Sequence, residues 1–173
     1  DEATVRPEVG RPLQAAQELI RAGKYKEAIA RLKELDAVPN KTAQENFVAE
    51  RMRGAALAGA GDAEGAAKSL EAVIVANRLP AAEQLRTHEA LVGAWYRARD
   101  YAKAVAAGQR YLREGGSNPQ IRTVIAQAQY LTDDFAGAAK ALRSAIEEDE
   151  KAGRTPAEEQ LQLLASCHAR LND

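Results

Sequence analysis

The chain has 173 residues, 24 basic and 25 acidic, with a formal net charge of -1 and 46% apolar side chains. That is enough for about one domain, too apolar and too nearly neutral for a disordered chain, and without the basic footprint a nucleic-acid binder needs. Alanine fills 38 positions while aromatics make up 5%, which favours helices over a β-sandwich or barrel, and the single cysteine excludes a disulfide framework within the chain.

The first residue is Asp1, followed by an extended Val5-Arg6-Pro7. Such a start fits a mature terminus left by signal-peptide removal, or an arbitrary cut. Export to a bacterial periplasm is the expectation, with the cytoplasm as the other location. No apolar stretch approaches the roughly 20 residues that span a bilayer, so membrane insertion is not expected.

Helices are predicted near 11–22, 25–37, 43–60, 63–77, 81–98, 101–114, 118–132, 135–152 and 156–171. Thr42, Asp62, Asp100, Asp134 and Thr155 are predicted caps at helix starts. Thr155-Pro156-Ala157-Glu158 resembles a capping box with Pro at the first helical position. Gly115-Gly116-Ser117 is the clearest helix stop.

Four short turns align: Ala22-Gly23-Lys24-Tyr25, Ala60-Gly61-Asp62-Ala63, Ala98-Arg99-Asp100-Tyr101 and Thr132-Asp133-Asp134-Phe135. Their third positions are spaced by 38, 38 and 34 residues. After each turn the same face recurs: Ala28, Ala66, Ala104 and Ala138, then Leu32, Leu70, Gly108 and Leu142, then Leu35, Val73, Tyr111 and Ala145. This i, i+4, i+7 spacing is one side of an α-helix. A matching face precedes each turn, for instance Ala15, Ala16 and Leu19 before the first and Leu91, Val92 and Trp95 before the third. A fifth turn is expected to begin at Asn172-Asp173.

These registered copies resemble tetratricopeptide repeats, helix–turn–helix units of roughly 34 residues with small residues at the helix crossings. The small positions here are Ala16, Gly54, Ala126 and Ala165 on first helices, against Ala28, Ala66, Ala104 and Ala138 on second helices. Pro39, Pro80, Pro119 and Pro156 separate successive hairpins. The segment from Val5 to Gln17 is also similar to the start of a group of bacterial, exported tetratricopeptide proteins without an assigned activity. There are departures. The family's Trp position holds Pro12, Glu50, His88, Arg122 and Leu161, and the Gly-Tyr signature of the first helix is kept only in part. The resemblance implies an all-α, right-handed α-solenoid of nine helices in about four and a half repeats. It would be a single domain over 1–173, with repeats near 9–42, 43–80, 81–118 and 119–155 and a partial one at 156–173.

Little in the chain points to catalysis. His88 and His168 have no second ligand at metal spacing, and Cys167 and His168 point about 100° apart on one helix, so a buried Cys and a surface or interface His are expected. Glu147-Glu148-Asp149-Glu150 reads as a solvated helix end, with Lys151 and Arg154 offsetting an unfavourable dipole. Gly59, Gly61 and Gly65 lack the strand and Lys of a phosphate loop. No enzyme activity, cofactor or metal is expected.

In the family the first helices line a concave groove. Carried across, those positions are Leu13, Gln17, Ile20 and Arg21; then Val48, Arg51 and Ala55; then Arg86, Glu89, Gly93, Tyr96 and Arg97; then Gln120, Thr123, Gln127 and Tyr130; then Gln162, Ser166 and Arg170. The Lys and Asn of the family's carboxylate clamp are replaced by Leu13/Gln17, Arg51/Ala55 and Glu89/Gly93, so binding of chaperone tails is not implied. Arg51, Arg86, Glu89, Tyr96, Arg97, Gln127 and Tyr130 are the candidate partner-binding residues, and Trp95, Tyr96 and Tyr130 the candidate aromatic anchors. An alternative reading of Tyr96 and Tyr130 packs them against neighbouring helices. The resulting expectation is a non-enzymatic module that binds a peptide or protein segment. The alternative is a structural or self-associating spacer of a longer envelope protein, docking through an exposed end formed by Leu161, Leu164, Ala165 and His168.

Overall fold

The computed structural model describes residues 4–172, so Asp1 and the last residue of the expected fifth turn, Asp173, lie outside the described residues. Among those described there are nine α-helices: α1 (Pro7–Arg21), α2 (Tyr25–Lys33), α3 (Ala43–Gly59), α4 (Ala63–Ala76), α5 (Ala81–Arg97), α6 (Tyr101–Arg113), α7 (Pro119–Leu131), α8 (Phe135–Lys151) and α9 (Glu158–Leu171). A short 3₁₀ segment, Glu34–Ala37, follows α2. The chain divides into two compact units, Asp1–Thr87 and His88–Asp173.

In the first unit, α1 packs on α2, α2 on α3, and α3 on α4, with α1 also touching α3. Its core joins Val9, Leu13, Ala16, Ala28, Leu32, Leu35, Ala49 and Ala56. In the second, α6 packs on α7, α7 on α8, and α8 on α9. One core cluster there joins Ala126, Ala138, Ala139, Leu142 and Cys167. Close helix crossings need side chains of about methyl size. Ala16, Ala28, Ala66, Ala104, Ala126 and Ala138 are all essentially inaccessible. At Gly108 an added Cβ would sit 2.6 Å from Ile125 Cγ1, so α6 and α7 approach closely only because no side chain intervenes.

The four turns share one geometry. Their second residues all have left-handed backbone: Gly23 (φ 75°), Gly61 (φ 85°), Arg99 (φ 61°) and Asp133 (φ 62°). Paired bonds close each helix end, such as Gly23 N–H to the Ile20 carbonyl at 3.0 Å and Lys24 N–H to Leu19 at 2.8 Å. This is the Schellman arrangement. The third residue then caps the next helix. Asp62, Asp100 and Asp134 accept from the N–H groups of Gly65, Lys103 and Gly137, at 2.9, 3.2 and 3.0 Å. Lys24 has the same backbone but no acceptor, so α2 starts without a side-chain cap.

The start of α3 is tied to the chain's beginning. Thr42 and Glu45 form a reciprocal capping box. The buried Glu45 carboxylate also accepts from the Arg6 backbone N–H at 3.0 Å and from its guanidinium at 3.1–3.2 Å. The same guanidinium reaches the carbonyls of Pro39 and Asn40. The Arg6 bonds first, then the Thr42 N–H, hold the Glu45 carboxyl down from 4.5 to about 2.

Several sequence expectations are corrected. α1 begins at Pro7, four residues before the predicted start, because Pro suits the first helical position where no N–H is needed; Pro12 lies inside this helix. Residues 34–37 tighten to 3₁₀ instead of continuing α2. Thr155 does not cap α9. The residue before a proline is pushed out of the helical region, and the helix starts only after an extended Ala157. Ala165 is not a crossing residue but exposed. His88 is buried rather than on the surface. The acidic run is not wholly solvated: Asp149 is buried and pairs with Arg154 Nε at 3.0 Å.

Two stability tests follow from the turns. Arg99→Gly removes the left-handed penalty on a side chain and is expected to raise unfolding stability by about 1 kcal/mol. Lys24→Asp supplies the missing cap and should add about 0.5–1 kcal/mol. Urea unfolding reads both, and no gain from either would show that the turns are not limited in this way. A third test is pH. Glu45 has a lowered folded-state pKa, so its contribution is complete above 4.5 and is lost as pH falls towards 2. The stability gap between wild type and Glu45→Gln should therefore shrink across that window.

Candidate interaction surface

The first unit has an open cleft of about 460 Å³ between α1 and α3. Gln17, Ile20 and Arg21 come from α1, and Val48, Arg51, Met52 and Ala55 from α3. On α3 these positions follow i, i+3, i+4, i+7, so they share one face. Apolar surface from Ile20, Val48, Met52 and Ala55 lies between two arginines and a glutamine, and no carboxylate lines the cleft. Arg51 stands over the Phe47 ring at 5.8 Å and lies 3.9 Å from Glu83, a long pair between half-exposed groups. Such a pair holds Arg51 weakly and leaves it open to exchange partners.

Six of the seven lining residues are among those placed in a groove from sequence; Met52 is the addition, and its place one turn from Val48 was the available signal. Leu13 is not in the cleft. It is buried in the core, because the α1 side that meets α2 also carries Val9 and Ala16.

The other candidates lie outside that cleft. Arg86 is exposed on α5 and does not line the α1–α3 cleft. In the second unit, Glu89 is engaged inside the fold. The Tyr111 hydroxyl donates to its Oε1 at 2.6 Å and Asn118 Nδ2 to its Oε2 at 3.3 Å. Asn118 N–H in turn donates to the Tyr111 hydroxyl at 2.9 Å, while Asn118 Oδ1 caps α7. Burial, and then the neighbouring Glu89, push the Tyr111 phenol up. Tyr96 meets Tyr101 edge-on at 5.4 Å and Tyr130 meets Phe135 at 5.1 Å, each across a turn. Arg97 is exposed, with its guanidinium lying along the Gly93 face of α5, and Gln127 is half-buried. Trp95 is not a free anchor: it is 5% exposed, with Lys103 Nζ 4.5 Å from its ring centre.

Cys167 is fully buried and burial pushes its thiol up, which disfavours the reactive thiolate. Among the described residues, no three His, Cys, Asp or Glu side chains are grouped to hold a metal, and no helix is long and apolar enough to cross a membrane.

No protein-family model and no curated protein sequence matches the chain. Among solved structures, that of a MamA RS-1 ArsTM double mutant superposes with a TM-score of 0.65 at 16% identity, covering 98% of this chain and 88% of that one. MamA is a tetratricopeptide protein. The fold is tetratricopeptide-like. At this identity the likeness speaks for the fold alone. Tetratricopeptide scaffolds are typically non-enzymatic and generally serve protein–protein interaction. In this tetratricopeptide-like fold the cleft is lined by the first helices of two successive hairpins, α1 and α3.

Tyr111→Phe removes one hydroxyl that serves both Glu89 and the Asn118 N–H, and should cost about 1–3 kcal/mol. Tyr101→Phe, whose hydroxyl takes part in no such network, is the control and should unfold as wild type does. Equal urea midpoints for both variants would show that the Glu89 network is dispensable.

Proposed function

We propose that the chain is a non-enzymatic interaction module that holds a peptide or protein segment in the α1–α3 cleft. The observation that supports this most is the lining itself: an apolar strip bounded by Arg21 and Arg51, without a carboxylate. An apolar side chain of the partner would cover Ile20, Val48 and Met52. The arginine forks would take its carbonyl or carboxylate oxygens. Desolvated arginine and apolar anchors of this kind carry most of the energy in small interfaces. Arg86, Arg97, Tyr96, Gln127 and Tyr130 belong to the wider proposal as further contact residues, whereas Glu89 serves the fold first.

A second reading, self-association, is favoured by α9. Leu161 and Leu171 are 48% and 49% exposed, with Ala165 and His168 exposed beside them. Leu161, Leu164, Ala165 and His168 follow the spacing of one helical face, although Leu164 is partly used by the core.

Pull-down with quantitative mass spectrometry from the native host separates the readings. Arg21→Glu with Arg51→Glu should reduce capture of the specific partner by about tenfold or more, while Arg113→Glu, outside the cleft, should leave it intact. An unchanged partner list overturns the cleft reading. Light scattering tests the alternative: a strictly monomeric chain at high concentration rules out self-association through α9.

A further inference from the structure

The second unit contains a separate pocket of about 230 Å³ between α6, α7 and α8. Leu112, Ile125 and Ala141, one from each helix, give it an apolar component. Arg122 and Lys140 line it from α7 and α8, and no carboxylate does. Among the described residues, neither cation takes part in an ion pair or hydrogen bond. The nearby Asp134 carboxylate accepts from the Gly137 N–H at 3.0 Å as the cap of α8. The pocket is also lined by Gln129, whose Oε1 is buried with no hydrogen-bond partner within the protein. That atom is closed to solvent as well, so it stays an internal cost of the fold and does not face a ligand.

Two unmet demands thus share one small space: anionic charge for two cations, and apolar surface. An inorganic anion supplies the charge but no apolar body. An aliphatic ligand supplies the body alone. A peptide with an acidic residue beside an aliphatic one meets both, through its carboxylate and the aliphatic side chain. We propose that the pocket between α6, α7 and α8 is a second recognition site, which takes an acidic-aliphatic segment of a protein partner. It is distinct from the α1–α3 cleft and does not depend on that cleft being a binding site.

The test is an amide NMR titration of the whole chain with three probes: acetyl-Leu-Glu-amide, acetyl-Leu-Gln-amide and inorganic phosphate. The acidic peptide should give saturable shifts confined to α6, α7 and α8. Its affinity should fall by about tenfold or more in Arg122→Gln with Lys140→Gln, since charge-assisted bonds are lost, and should weaken with added salt. Both substituted residues reach solvent, and circular dichroism checks that the fold is kept. Arg113→Gln should bind as wild type does. An equal response to the neutral peptide would overturn the role of the cations. An equal response to phosphate would reduce the site to a simple anion pocket and overturn the peptide assignment. Shifts confined to α1 and α3, or none that saturate, would overturn the site altogether.

Discussion

Everything in this fold depends on how closely paired helices approach. Where Ala16 and Ala28, or Ala126 and Ala138, are fully buried, methyl groups are the spacers between backbones. At Gly108 even a methyl group is too much, with Ile125 filling the space. Larger residues at these points would force axes apart and open voids alongside. The low aromatic content follows from this constraint, because a thin helix pair has little room for rings. Of the few rings present, Phe47, Trp95 and Tyr111 are buried, while Tyr96 and Tyr130 meet Tyr101 and Phe135 across turns.

Close pairing requires sharp reversals, and the turns supply them by one geometry built from different residues. Gly adopts the left-handed position at no steric penalty in two turns, while Arg99 and Asp133 accept that penalty in the others. Polar groups then tie one hairpin to the next. In the first unit Glu45 serves Arg6 and Thr42 together. In the second, Tyr111 links Glu89 of α5 to the start of α7. These networks satisfy donors at helix ends that packing alone would leave unpaired.

The cleft illustrates how function-bearing chemistry arises from the same arrangement. Val48, Arg51, Met52 and Ala55 share a face because α3 is helical. They become a surface because α1 lies beside α3 and contributes Ile20 and Arg21. Helix periodicity and the resemblance make that face legible in the sequence. Trp95 is buried where the sequence suggests an anchor, and Glu89 makes bonds within the fold that spacing does not disclose, for a common reason. Each stands on a helix whose periodicity was correctly seen, but a polar or aromatic side chain at a boundary position can turn inward as readily as outward. The presence of Tyr111 and Asn118 within reach of Glu89, and of Lys103 over Trp95, decided the matter.

By itself the sequence determined the helices, their order and the hairpin turns, because these rest on local physics: Ala propensity, 3.6-residue periodicity, Asp caps and left-handed glycines. The recurrence of that local pattern also disclosed small residues at the crossings, with Ala165 the exception. Tertiary structure decided what local rules leave open. It buried Leu13 and His88, paired Asp149 with Arg154, and brought Arg6 to Glu45 across 39 positions. It also gathered Arg122, Lys140 and Gln129 around one pocket. Such outcomes depend on which distant side chain arrives opposite a given residue, and spacing along one helix does not encode that.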